Sequence, residues 1–149
     1  MTFKEDNDGW FCELANSRLQ MIQIDFRLSL LISNSNERAW VHIETEGRLM
    51  SDLHQTLFVP GDTQSLAPIL RLFNAEVIRI NITKIGKLTI KFERNHLLEV
   101  GPDRSYEAWQ VSYSGSDEDK VMLVCGPGGK VTLFRDDAVF GKAKNYDLN

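Results

Sequence analysis

The chain has 149 residues, 42% of them hydrophobic and 26% charged, enough for one domain with its own core and unlike a disordered or fibrous composition. Its net charge of −4 argues against nucleic-acid binding through overall charge. The longest apolar stretch is broken by Arg27, Ser29 and Ser33, so no segment approaches the roughly 20 apolar residues that span a bilayer.

The N-terminal run Met-Thr-Phe-Lys-Glu-Asp-Asn-Asp is acidic and lacks the apolar stretch of a secretory signal. A cytoplasmic protein is expected, with Cys12 and Cys125 as reduced thiols. Ile22, Ile24, Phe26, Leu28, Leu30 and Ile32 all fall on even positions, the period of two that marks one buried face of a sheet. A tight turn over 25–27 would split this run into a hairpin. A further strand is expected from Ala39 to Thr45, with Ala39, Val41 and Ile43 on one side.

Pro60-Gly61-Asp62 then breaks the chain and offers a capping carboxylate to a helix. Leu66, Ile69, Leu70 and Phe73 follow at i, i+3, i+4 and i+7, which predicts an apolar helical stripe packed on the sheet and ending near Asn74. Beyond it, Ile78, Ile80 and Ile82 alternate with polar residues. After Lys84-Ile85-Gly86, so do Leu88, Ile90 and Phe92. With Gly86 left-handed in the turn, this hairpin should pair Ile82 with Leu88, Ile80 with Ile90 and Ile78 with Phe92. Its other face sets Arg79 against Lys91.

Strands are also expected at Leu97–Val100, Ser105–Tyr113, Lys120–Cys125 and Lys130–Phe134, with Trp10, Trp40 and Trp109 as core residues. The segments Met21–Glu44 and Val77–Val100 share a pattern of three strands joined by short turns. The expected fold is therefore mostly β (α+β): a twisted antiparallel sheet, a half-barrel or sandwich, built from two meander-like repeats with one helix packed on it. Residues 1–134 would form a single globular domain, with repeat halves at 19–58 and 62–134, and residues 135–149 a loosely ordered polar tail.

Motifs for chemistry are weak. Gly126-Pro127-Gly128-Gly129 lacks the lysine and the strand-to-helix setting of a phosphate loop and reads as a hairpin turn. His42, His54 and His96 have no partner at i+3 or i+4, and neither cysteine sits in a C-x-x-C pair, so no metal site is expected. No nucleophile or zinc-protease signature appears. A non-catalytic protein without cofactors is expected.

Charge is more informative. From Glu99 to Asp119, six carboxylates (Glu99, Asp103, Glu107, Asp117, Glu118, Asp119) face the single Arg104, leaving a local charge of −5. Between Val77 and Leu98 the sign reverses, with Arg79, Lys84, Lys87, Lys91 and Arg94 against Glu93. Solvated surface is the ordinary reading of such runs, and a contact patch the functional one.

The elements Tyr106-Glu107-Ala108-Trp109 and Val124-Cys125-Gly126-Pro127-Gly128-Gly129, preceded by Gly86, Leu88, Ile90 and Phe92, resemble an uncharacterised family of small bacterial domains. The likeness runs from about Leu66 to Phe134, with a weaker match from Leu19 to Glu44. Such domains are similar to proteins found beside bacterial toxin systems, including immunity proteins of contact-dependent growth inhibition. The resemblance implies a protein that binds and neutralises a toxin domain, a basic nuclease on the charge argument, with Glu107, Asp117, Glu118 and Asp119 as the expected partner-binding residues. The alternative is a nucleic-acid-binding module using Arg79, Lys87 and Lys91, disfavoured because no aromatic residues interleave with those cations. No membrane partner is expected.

Overall fold

Branched aliphatic residues that alternate with polar ones suit a pleated, half-buried surface, and in the computed structural model they form one antiparallel sheet. The structure describes residues 3–115, 120–137 and 142–147, with side chains as far as Arg135. The first half holds β1 (Phe3–Glu5), β2 (Gly9–Cys12), β3 (Ser17–Ile24), β4 (Leu28–Ser33), β5 (Arg38–Ile43), β6 (Gly47–Met50) and β7 (Gln55–Phe58). A 3-10 turn over Thr63–Leu66 runs into one α-turn, α1 (Ala67–Leu70). The second half holds β8 (Glu76–Thr83), β9 (Leu88–Phe92), β10 (His96–Val100), β11 (Trp109–Ser114), β12 (Lys120–Cys125), β13 (Val131–Asp137) and β14 (Lys142–Asp147).

Across the sheet the order is β14-β13-β12-β11-β5-β4-β3-β8-β9-β10-β6-β7, with β1 and β2 attached through β8. The expected meanders are present as β3-β4-β5 and β8-β9-β10. They join where Ser17 pairs with Val77 and Arg18 with Glu76. The rest of β8 pairs with β2, from Cys12↔Ile80 to Gly9↔Thr83. The sheet is open, and the buried side chains of both flanks form one core, which includes Leu30, Val41, Ile80, Ile90, Leu98, Trp109 and Leu123. Residues 142–147, in the segment expected as a polar tail, pair with β13 from Asp137↔Lys142 to Thr132↔Asp147.

Several local expectations need correction. Leu28, Leu30 and Ile32 are buried, but Ile24 is partly exposed and Phe26 is 98% exposed at the turn tip. Beyond a bulge between Leu19 and Met21, Ile22 pairs with Leu30 and Ile24 with Leu28, so β3 keeps the phase of β4 there and Ile24 is exposed by its place at the turn end of the hairpin. In the β8–β9 hairpin Ile82 pairs with Leu88 and Ile80 with Ile90, as the alternation predicts, and Arg79 faces Lys91. A bulge between Val77 and Arg79 ejects Ile78, and buried Val77 takes its place opposite Phe92.

The connector differs most from its prediction. Asp62 does cap it, accepting the Gln64 N–H at 3.2 Å, and Asn74 at φ 69° follows it. Its buried residues, however, are Leu66, Ile69 and Leu72, while Leu70 and Phe73 are exposed. Spacing of i, i+3, i+6 is the face of a helix with three residues per turn, and most of this segment is a 3-10 turn or irregular. Residues 105–108 are likewise loop, and β11 begins only at Trp109.

Candidate functional site

The expected partner-binding residues flank β11. Glu107 stands just before Trp109. Asp117, Glu118 and Asp119 lie outside the described residues, between Ser114 and Lys120, which pair with each other at the other end of the β11–β12 hairpin.

Around Glu107 three connections converge. The β3–β4 turn is tied by the Asp25 N–H to the Arg27 carbonyl at 3.1 Å and by the Arg27 N–H to the Asp25 carboxylate at 2.8 Å. This leaves Phe26 projecting at the tip. The loop after β5 is held by the Glu44 N–H donating to the Ala108 carbonyl at 2.9 Å. The loop before β11 is organised by Asp103, whose carboxylate accepts from the N–H groups of Ser105 at 2.8 Å and Tyr106 at 3.1 Å. Those hydrogen bonds, with a lesser one from the Thr45 hydroxyl, hold the Asp103 carboxyl below its usual range. Asp103 therefore has a structural task, and Tyr106, beside that turn, is 74% exposed.

Glu107 is in the opposite electrostatic state. Partial burial pushes its carboxyl up, the nearby Glu44 adds to the rise, and Arg27 offsets it in part. Two like charges at one loop end, beside two exposed aromatic rings, form a surface that a cation would relieve. Glu107 carried a sequence signal through its charge. Phe26, Tyr106 and Glu44 did not, because nothing in the alternation distinguished an exposed ring from a core one.

The motif residues meet elsewhere, in the interior. The Trp109 indole N–H donates to the Gly86 carbonyl at 2.9 Å, and the Cys125 thiol lies 3.7 Å from the same oxygen. Gly86 (φ 95°) and Gly129 (φ 93°) are both left-handed, and a Cβ on Gly129 would come within 2.5 Å of the Ile85 carbonyl oxygen. The residues that carry the resemblance thus clamp the β8–β9 turn against the Gly126–Gly129 turn. Their role is packing.

The basic hairpin face is largely neutralised. Arg79 lies 3.1 Å from Glu13 and 4.1 Å above the Phe11 ring, and Lys87 lies 3.2 Å from Glu99. Glu13 thereby covers the Arg79–Lys91 like-charge pair. His42 stacks on Trp40 and hydrogen-bonds the Ser29 hydroxyl at 2.7 Å. Burial holds its imidazole below the ordinary range, helped by Arg27 and opposed by Asp25. No group of three or more His, Cys, Asp or Glu side chains able to hold a metal gathers among the described residues. No helix among them is long and apolar enough to cross a membrane.

Fold and site together define an antiparallel β-sheet protein with an aromatic and acidic loop end and a buried motif cluster. The chain belongs to a family of unknown function, DUF6188, which covers residues 10–135. No curated protein and no solved structure matches it.

Proposed function

We propose that the chain is a non-catalytic binding protein of the immunity type, which docks on a basic toxin domain, a nuclease, and blocks it. The observation that carries this reading is the exposure of Phe26 (98%) and Tyr106 (74%) beside the mutually repelling Glu44 and Glu107. Rings left in water are the residue type that anchors protein interfaces. A nuclease must attract phosphate, so the surround of its active site is basic, and paired carboxylates complement it. Asp117, Glu118 and Asp119 would add steering charge. The competing nucleic-acid reading is weakened because Arg79 and Lys87 already have carboxylate partners.

The test is binding to, and coexpression with, a toxic nuclease domain encoded beside this chain. Phe26→Ala or Tyr106→Ala should each cost about 2 kcal/mol, roughly 30-fold in Kd, and abolish protection of the cell. A partner cation would lower the raised Glu107 carboxyl, so binding should weaken as pH falls through that carboxyl's raised range, and only in that range should it release protons. Native affinity and protection in both aromatic variants, or the absence of a toxic neighbour, would overturn the proposal.

A further inference from the structure

A cleft of about 660 Å³ opens between β6, the β9–β10 turn and the segment after α1, within the size range of small-molecule sites. In a chain of net charge −4, its walls collect Arg18, Arg71 and Arg94, together with His54 and His96, against the single Glu93. Glu93 is committed in part to the backbone, accepting the Glu76 N–H at 3.1 Å. Arg18 is anchored by donating to the Asn74 carbonyl at 2.8 Å, which leaves the rest of its donor fork available. None of the three guanidinium groups has a carboxylate partner among the described residues.

The backbone adds a second, independent observation. Arg94 (φ 60°) and Asn95 (φ 57°) are both left-handed, and the His96 N–H reaches back to the Glu93 carbonyl at 3.5 Å. That is the two-residue turn whose central positions favour Asn, Asp or Gly. Asn95 fits. An arginine at Arg94 strains the turn, and what it provides there is a guanidinium on the cleft wall. Phe73, which lines the same cleft, is 59% exposed and offers a flat apolar face.

We propose that this cleft binds a small organic phosphate, with Arg18, Arg71 and Arg94 on the phosphate and Phe73 against a planar organic group. Guanidinium forks match phosphate oxygens geometrically, and an exposed ring supplies stacking for a base.

Calorimetric titration of the full chain with AMP, adenosine and inorganic phosphate at low salt tests this assignment. AMP should bind at least roughly tenfold more tightly than inorganic phosphate, a ratio set by the stacked ring, and adenosine should give no measurable heat. Arg71→Gln and Arg94→Asn should each weaken AMP binding by about tenfold or more, as loss of a charge-assisted pair does. Arg94→Asn should also raise the melting temperature, because Asn tolerates the left-handed backbone, so a stabilised variant that binds worse separates recognition from folding. The assignment falls if AMP gives no heat at millimolar concentration, or if adenosine or inorganic phosphate binds as well as AMP. It also falls if both variants titrate like the native chain. Tighter binding of a short single-stranded RNA than of AMP would overturn it in favour of a nucleic-acid groove.

Discussion

Burial decides the chemistry of the two thiols. Desolvation pushes Cys12 up to about 12, with Glu37 adding to the rise, and Cys125 up to about 11, with Glu107 adding. The reactive species is the thiolate, and at pH 8 Cys125 would hold roughly a thousandth of its population in that form. Both side chains are also shielded sterically, since each is buried in the core. Neither thiol of the native protein should therefore react with a disulfide reagent at pH 8 on the timescale of minutes, while both should react at once in denaturant. Rapid native labelling of one thiol would show that its strand opens. The same scale distinguishes the carboxylates: Asp103 is spent on its own loop, whereas Glu107 lies against Glu44 with its charge incompletely compensated.

At the scale of elements, the β8–β9 hairpin separates two isoleucines that look equivalent in the sequence. Ile80 is buried opposite Ile90, while Ile78 sits in the bulge and is 45% exposed. Ile80→Ala should cost about 2–5 kcal/mol, the range for buried large-to-small changes. Ile78→Ala should stay within about 0.5 kcal/mol, as surface changes do. Equal costs in a urea titration would place both side chains in the core and remove the bulge. Period-two alternation was sufficient to find the strands of both meanders, because a sheet with one buried face imposes that period directly. It could not reveal the bulge that turns Ile78 outward, which leaves composition unchanged while shifting phase, nor that Ile24 and Phe26 lie where the β3–β4 hairpin turns, beyond the reach of the core. β1, β2, β6 and β7 are too short for alternation to register. The connector misled because Leu66, Ile69, Leu70, Phe73 and Leu72 satisfy both a 3.6-residue and a 3.0-residue period, and the sequence does not choose between them. At the site, charge marked Glu107, but the cleft arginines lie at Arg18, Arg71 and Arg94, far apart in the chain and legible only once the fold brings β3, the segment after α1 and the β9–β10 turn together.

For the whole molecule, the two meanders trade partners. After the first meander the chain enters β6, which pairs with β10, the last strand of the second, from Val100↔Gly47 to Leu97↔Met50. After the second meander it enters β11, which pairs with β5, the last strand of the first, from Trp109↔Ile43 to Ser114↔Arg38. Each half thus supplies the strand that covers the other's edge, and an uncovered edge leaves a row of unpaired backbone groups. The β2–β8 and β3–β8 pairings cross the halves as well. Neither half can then complete its core alone, and the chain should unfold in one cooperative transition. Separating it at Gly61, an exposed position where an added Cβ would meet nothing within 4 Å, tests this directly. Fragments 1–61 and 62–149 should each lack a cooperative thermal transition, and mixing them should restore one together with the native circular dichroism spectrum. A cooperative transition in the isolated second fragment would mean that β8–β14 form a self-sufficient domain, and that the exchange of β6 and β11 is an addition to the fold instead of its organising feature.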